Sequence, residues 1–152
     1  MKINLLAVGK IKENFFSQAI LEYQKRISRF CNLNIVEVAE APPSKSVTEQ
    51  VHEESAKLQN LAKGFVIALD SRGQLLTSEN FAELLDKQMS QGSSEFTILI
   101  GGSNGLSDEL KDRADFVLSF SKMTFPHQLF RVMVIEQIYR ALSINAGLPY
   151  HK

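Results

Sequence analysis

The stretch FTILIGGSNG, residues 96–105, decides the fold of this chain. Its first half, Phe96 to Ile100, is an unbroken run of apolar and β-favouring residues, which is typical of a central parallel strand buried on both faces. Its second half, Gly101 to Gly105, is a glycine-rich loop. Open α/β sheets bind ligands at the carboxyl ends of their strands, where such loops let the backbone approach closely. The stretch therefore predicts a parallel sheet with a ligand site beside this loop.

On either side of this stretch, strand and helix alternate. Apolar runs predict four further strands, at Lys2–Gly9, Leu33–Val38, Gly64–Asp70 and Phe116–Phe120. Apolar spacings of three and four predict helices at Glu13–Phe30, Val47–Ala62, Ser78–Met89 and Pro126–Asn145, and a short one opening at Ser107–Glu109. Ser71-Arg72-Gly73 is predicted to be a turn. The pattern predicts an α/β fold, a mainly parallel sheet flanked by helices, in a single domain of residues 1–152.

The composition is that of a globular protein that folds without disulfides. The chain has 152 residues, of which 44% are hydrophobic and 22% charged, and one cysteine, Cys31. A single cysteine excludes an intramolecular disulfide, and no His, Cys and carboxylate residues are grouped at metal-ligand spacing, so we expect no metal site. No apolar run reaches the roughly 20 residues that span a bilayer, and no signal leader opens the sequence. We therefore expect a cytoplasmic protein with no membrane partner.

The charge balance limits how the chain can bind nucleic acid. It has 17 basic and 17 acidic residues, so its formal net charge is zero at pH 7. If the partner is nucleic acid, affinity must come from a local basic patch or from assembly, because overall charge cannot supply it.

The last predicted helix is apolar around nearly its whole circumference. The residues concerned are Leu129, Phe130, Val132, Met133, Val134, Ile135, Ile138, Tyr139, Leu142 and Ile144. A sheet buries only one face of a helix, and a large exposed apolar patch usually marks an interface, so we expect a homodimer in which this helix packs on its mate. The alternative is a core helix covered by the chain's own loops.

The glycine loop allows three interpretations. It lacks the spacing of a dinucleotide site or a phosphate loop, so it predicts a ligand without naming one. It can equally be a tight turn between strand and helix, since Gly and Asn favour turns. It also satisfies G-x-S-x-G, which would make Ser103 the nucleophile of a small α/β serine hydrolase, with Asp115 and His127 following in that family's chain order.

Two further segments carry side chains suited to a binding site. In residues 118–128, Phe120, Met123 and Phe125 can sandwich a flat ring, although each is also a plausible core residue. His127 lies just inside a helix N-terminus, where the dipole disfavours its charged form, so it can act as a neutral base or a substrate contact. The terminal residues 150–152 combine a stacking ring, an imidazole and a cation in a tail of the kind that usually frays.

Six segments, taken in order, resemble the SPOUT superfamily of knotted methyltransferases, in particular its small bacterial members that modify large-subunit ribosomal RNA. They are LLAVGK (5–10), EYQKRI (22–27), IGGSNGL (100–106), SFSKMTFPHQLFRV (119–132), IEQIYRA (135–141) and PYHK (149–152). The resemblance implies a trefoil knot in the C-terminal third and a homodimer. It also implies transfer of a methyl group from S-adenosylmethionine to N3 of a pseudouridine in 23S rRNA of the assembled ribosome, with no role for DNA.

The same resemblance implies which residues form the site. Cofactor contacts fall on Leu69, Gly101, Phe120, Ser121, Lys122, Met123, Thr124 and Phe125. Candidates for the catalytic, substrate-facing side are His127, Arg131, Tyr150, His151 and Lys152, with the tail of one subunit closing over a site that both subunits share. His127, His151 or water assisted by a nearby cation can remove the N3 proton, and the sequence does not choose among them. A non-catalytic RNA-binding dimer with the same fold is a further alternative.

Overall fold

The computed structural model describes residues 1–152 and contains one five-stranded parallel sheet with strand order β2-β1-β4-β3-β5. The strands are β1 Lys2–Val8, β2 Asn32–Val38, β3 Phe65–Leu75, β4 Glu95–Ile100 and β5 Phe116–Ser119. The helices are α1 Asn14–Ile27, α2 Val47–Leu61, α3 Ser78–Ser90, α4 Asp108–Arg113 and α5 His127–Asn145. All ten predicted elements are present in the predicted order, so the predicted parallel α/β fold is confirmed.

The sheet separates two apolar cores. The larger core lies between one face and α1, α3 and α5, and the smaller lies between the other face and α2 and α4. β4 serves both, because Ile98 points into the larger core and Leu99 into the smaller one. Thr97, a polar side chain in the middle of β4, is buried, and its hydroxyl donates to the Lys63 carbonyl at 2.6 Å. The stretch that predicts a doubly covered central strand is thus the centre of the sheet.

Three helices start at side-chain caps. The Ser46 hydroxyl accepts a hydrogen bond from the Glu49 amide at the start of α2, as the sequence predicts. Thr77 caps α3 and Ser107 caps α4 in the same way. These caps fix where the helices begin.

The predicted turn at Ser71–Gly73 is wrong, because β3 continues through it to Leu75. Leu69 and Gln74 both lie opposite Leu118 of β5, so the residues between them form a wide bulge in a strand that afterwards rejoins its neighbour. Gly73 makes this possible: a Cβ there would lie 2.8 Å from the Leu118 carbonyl carbon. The polar, turn-favouring residues of this segment therefore form a bulge, which is closed by contact between Gly73 and the β5 backbone.

Helix α5 is covered mainly by its own chain. It packs between α1 and α3, and residues such as Val134, Ile135 and Ile138 are almost completely buried. Leu129, Val132 and Met133 stay partly exposed, so an apolar strip remains on the outer side of its first half. Most of the apolar circumference of α5 is therefore explained by burial within its own chain. Only the strip of Leu129, Val132 and Met133 is left on α5 for the predicted dimer interface. No helix of the chain is both long enough and apolar enough to cross a bilayer.

Candidate functional site

A cavity of about 580 Å³ opens at the β3 bulge and at the carboxyl ends of β4 and β5. Three segments line it: the β3 bulge (residues 69–72), the glycine loop (100–105) and parts of the segment from 118 to 130. The predicted cofactor contacts that line this cavity are Leu69, Gly101, Phe120, Ser121, Met123, Thr124 and Phe125. Lys122 is exposed and does not line it. The fold therefore gathers seven of the eight predicted contacts around one space.

The glycine loop is both a tight turn and a wall of this cavity. The Gly105 amide donates to the Gly102 carbonyl at 3.0 Å, and Gly105 has a positive φ of 79°. A Cβ on Gly102 would lie 2.5 Å from Oε2 of the buried Glu54. The missing side chains therefore serve the packing of the loop and bring bare backbone to the cavity surface.

The serine hydrolase interpretation is wrong. Ser103 is exposed and has no positive φ, so it does not sit in a strained nucleophile turn. Asp115 lies at the amino end of β5, where its carboxylate accepts from the Val66 amide at 2.7 Å. His127 bonds to the Val8 carbonyl instead of to either residue. Ser103 and His127 line the same cavity, but no hydrogen bond joins Ser103 to His127 or His127 to Asp115, so the triad is not formed.

Aromatic side chains form the second wall. Phe130, on the first turn of α5, stacks parallel on Phe125 with ring centroids 6.1 Å apart and meets Phe120 edge-on at 5.3 Å. Met123 projects from the same segment and is 74% exposed. Sequence reasoning assigned Phe130 to an interface, yet it buttresses two predicted ring contacts. Its position three residues after His127, on the same helical face, is the signal that could have revealed it.

Asp70 supplies a fixed negative charge in the β3 bulge. Its carboxylate accepts from Lys111 Nζ of α4 and from the Arg72 amide, at 2.9 and 2.8 Å. Burial alone would raise the pKa of Asp70, but these hydrogen bonds outweigh it and hold the pKa below the usual range. Lys111 was not predicted, because only the fold brings α4 beside the β3 bulge.

His127 lines the cavity at the start of α5. Its Nε2 lies 2.7 Å from the Val8 carbonyl oxygen at the end of β1. Burial, followed by the positive charge of Arg131, lowers the pKa of His127, and Glu40 opposes this effect. The ring is therefore neutral near pH 7, in agreement with the state expected from its place at a helix N-terminus.

Arg131 does not line the cavity. Its side chain is 1% exposed, and the guanidinium donates to Glu37 and to the carbonyl oxygens of Gly9, at 3.0 Å, and Val8, at 3.4 Å. A buried cation that is committed to such partners holds the end of β1 and cannot reach a phosphate. The structure thus places Arg131 behind the site and not at its surface.

The tail is packed and not frayed. The Tyr150 hydroxyl donates to Glu136 at 2.9 Å, and its ring meets Tyr139 edge-on at 4.6 Å. His151 lies 3.1 Å from an Arg140 nitrogen and 2.8 Å from Glu79. Within the chain, this position is on α5 and α3 and outside the cavity.

The last residue, Lys152, is exposed beyond this packed tail. No group of three or more His, Cys, Asp or Glu side chains in the chain could hold a metal ion.

A second cavity, of about 450 Å³, lies between α5, α3 and the ends of β3 and β5. Its apolar lining includes Tyr23, Leu76, Phe81, Val132 and Met133. Phe120 and Leu118 line both cavities, so the segment after β5 separates them. The apolar strip of α5 is the outer edge of this groove.

Comparison with known proteins agrees with this architecture. The family described as "Predicted SPOUT methyltransferase" matches residues 1–151. Ribosomal RNA large subunit methyltransferase H of Clostridium botulinum (strain Kyoto / Type A2) is 49% identical over an alignment of 159 positions, which covers 100% of both chains. The protein of the same name from strain Okra / Type B1 is 48% identical, with the same coverage.

Two solved structures are similar in fold. The methylase family protein from Haemophilus influenzae Rd KW20 has a TM-score of 0.54 and 14% identity, and the match covers 99% of this chain and 70% of that one. The methylase family protein from Neisseria gonorrhoeae has the same TM-score and identity and covers 99% and 85%. At this identity the two structures bear on the fold alone.

Proposed function

The chain belongs to the SPOUT methyltransferase family, and from this premise we propose that it methylates ribosomal RNA of the large subunit with S-adenosylmethionine as methyl donor. More narrowly, we propose N3 of a pseudouridine in 23S rRNA as the acceptor and the assembled, cytoplasmic ribosome as the substrate. The observation that carries the proposal is full-length identity of 49% to a named rRNA methyltransferase, combined with a cavity lined by seven of eight expected cofactor contacts.

The cavity suits an adenosine-containing cofactor. Its volume of about 580 Å³ is in the range of ligand pockets, roughly 300–1,000 Å³. Phe120 and Phe125 offer flat ring faces for a purine, and Met123 offers a polarizable thioether. The glycines of the loop offer backbone groups without side chains in front of them. When bound, S-adenosylmethionine supplies an electrophilic methyl group, so the protein needs only to orient the acceptor and exclude water.

Attack by N3 of pseudouridine requires that its imide proton leave. His127 is the better acceptor, because its neutral ring lines the cavity and its Nδ1 makes no hydrogen bond to the protein. Both ring nitrogens of His151 are engaged, one with Arg140 and the other with Glu79. We therefore propose that Nδ1 of His127 accepts the N3 proton and that the tail, residues 150–152, binds the substrate.

A homodimer completes this proposal. The strip formed by Leu129, Val132 and Met133 borders an apolar groove that a second copy would cover. Tyr150 to Lys152 lie outside the cavity of their own chain, so they can act on substrate only at the cavity of a partner subunit. Both subunits then contribute to each site.

Two measurements test the proposal. Titration calorimetry should detect binding of S-adenosylmethionine, which a non-catalytic RNA-binding dimer would lack. Ribosomes from a strain without this activity should gain one methyl group on a 23S pseudouridine when they are incubated with the protein and the cofactor, as read by nucleoside mass spectrometry. Cofactor binding without any RNA methylation would contradict the proposed substrate, and the absence of cofactor binding would contradict the methyltransferase itself.

A further inference from the structure

An ion pair between the buried Arg131 and the half-exposed Glu37 lies directly behind His127. Arg131 follows His127 by one helical turn, is 1% exposed, and donates to the Glu37 carboxylate of β2. The same Glu37 oxygen accepts from the Ile11 amide at 2.8 Å, so it also holds the loop between β1 and α1. The pair therefore joins β2, this loop and the first turns of α5 at one point.

The pair and His127 share an acceptor. The Val8 carbonyl oxygen lies 2.7 Å from His127 Nε2 and 3.4 Å from an Arg131 terminal nitrogen, which lies 3.0 Å from the Gly9 oxygen. A carbonyl oxygen can only accept, so Nε2 must carry the proton. In the neutral ring Nδ1 then has a free lone pair, and no protein group donates to it.

We propose that Glu37 and Arg131 are positioning residues, which hold the Val8 carbonyl in place and thereby fix His127 with its proton on Nε2 and its lone pair on Nδ1. This inference rests on the proposed function, in which Nδ1 accepts the substrate proton. Arg131 cannot touch substrate itself, since its guanidinium is enclosed and committed to Glu37 and the β1 carbonyls. Its effect reaches the reaction through His127.

The charges around the imidazole have opposing effects. The charged groups concerned are Arg131 on α5, Glu37 on β2, Glu40 after β2, and Asp70 and Arg72 in the same cavity. Arg131 disfavours the imidazolium, and Glu40 favours it. Removing the charge of Arg131 should therefore raise the pKa of His127, and removing the charge of Glu40 should lower it further.

The first test is nitrogen NMR of the imidazole in the free, labelled protein. Two-bond nitrogen–proton couplings should identify the Nε2-protonated tautomer of His127 in the wild type, with a titration midpoint below the ordinary value of 6.5. Glu37→Ala should give a mixture of tautomers, and Glu37→Gln, which keeps an acceptor for Ile11 and Arg131, should restore the wild-type signal. Glu22→Ala, in an exposed pair on α1, is the matched control.

The second test is the pH profile of methyl transfer. Glu37→Ala should lower kcat by about tenfold, with little change in the KM for S-adenosylmethionine, because the base is misoriented and not removed. The acidic limb should move to higher pH in Arg131→Met and to lower pH in Glu40→Gln. Arg131→Met removes a buried cation and can fail to fold. The outcome of the test is therefore judged from the variants of the half-exposed Glu37.

An unchanged tautomer and unchanged kcat in Glu37→Ala would overturn the inference. The NMR measurement needs neither RNA nor turnover, so the two proposals can fail separately. A wild type with the expected tautomer but no methyl transfer would contradict the proposed function and leave the positioning role supported.

Discussion

A Cβ atom placed on Gly101 would lie 2.6 Å from the carbonyl carbon of Gly105, on the other side of the glycine loop. No side chain fits there unless the loop moves, and the loop lines the proposed cofactor cavity. We expect Gly101→Ala to weaken S-adenosylmethionine binding at least tenfold in calorimetry, and Gly101→Val to abolish it. Ser103→Ala, an exposed change in the same loop, should leave binding and turnover nearly intact. Full binding by Gly101→Val would show that the cofactor does not bind beside the glycine loop.

The Asp70–Lys111 pair should stabilise the protein, and the effect should depend on pH. Asp70 is held below its ordinary pKa, so its contribution is complete above that value and is lost as the pH falls through the folded-state pKa. Lys111→Met leaves the mostly buried Asp70 carboxylate without its charged donor and should lower the free energy of unfolding at neutral pH by about 1–3 kcal/mol. Urea titrations check this, with Lys57→Met, in an exposed pair, as the control that should change little.

A matching acid titration separates the charge from the packing. Asp70→Asn cannot ionise, so its stability should vary less than that of the wild type between about pH 5 and pH 2. An equally steep loss of stability in both proteins would assign the acid sensitivity to other carboxylates.

The order of strands and helices could be predicted from sequence because each element carries a local signal. Phe96–Ile100 is an unbroken apolar run, and Ser46 caps its helix within three residues. The bulge at Ser71–Gly73 could not be predicted, because it depends on the backbone of β5, more than 40 residues away, approaching Gly73. Local turn preference was outweighed by a tertiary contact.

The site was predictable where it follows strand ends and unpredictable where it depends on burial. Gly101 follows from the rule that open sheets bind ligands at carboxyl ends, whereas Leu69 follows from the family resemblance. Arg131 resembles a surface cation in the sequence, but its partners, Glu37 and the β1 carbonyls, lie about 90–120 residues away and enclose it. Side-chain burial across such separations is set by the strand order, which no spacing reveals. The trefoil knot likewise stays a prediction from the family resemblance.

The dimer prediction concerns Met133, which is partly exposed at the rim of the apolar groove. Met133→Glu should convert a dimeric wild type to a folded monomer in sedimentation, since the charge would be stranded in a desolvated interface. Ile135→Glu should instead unfold the protein, because Ile135 is fully buried within its own chain. Leu61→Glu, which changes an exposed apolar residue on α2, should stay dimeric. A wild type that sediments as a monomer at micromolar concentration would refute the interface.

The tail prediction separates substrate binding from cofactor binding. Tyr150 and His151 pack on α5 and α3, outside their own chain's cavity. Deleting residues 150–152 should therefore reduce methyl transfer to RNA far more than it weakens S-adenosylmethionine binding. Tyr150→Phe, which removes only the hydrogen bond to Glu136, should be milder than the deletion. Full activity in the deletion variant would exclude the tail from the substrate site.

The substrate prediction follows from charge and from the burial of Arg131. The chain has no net charge. Three of the predicted site residues are lysine or arginine; Arg131 is enclosed, and Lys122 and Lys152 are exposed. Affinity for isolated RNA rises with the number of phosphates that are neutralised, so few contacts give weak binding to a free stem. We expect turnover on intact ribosomes at least tenfold faster than on a protein-free hairpin of the same sequence, measured with radiolabelled methyl donor. The salt dependence on the hairpin should be shallow, because few counterions are released. Equal rates on both substrates would mean that the chain reads the RNA stem itself and that a basic surface elsewhere supplies the affinity.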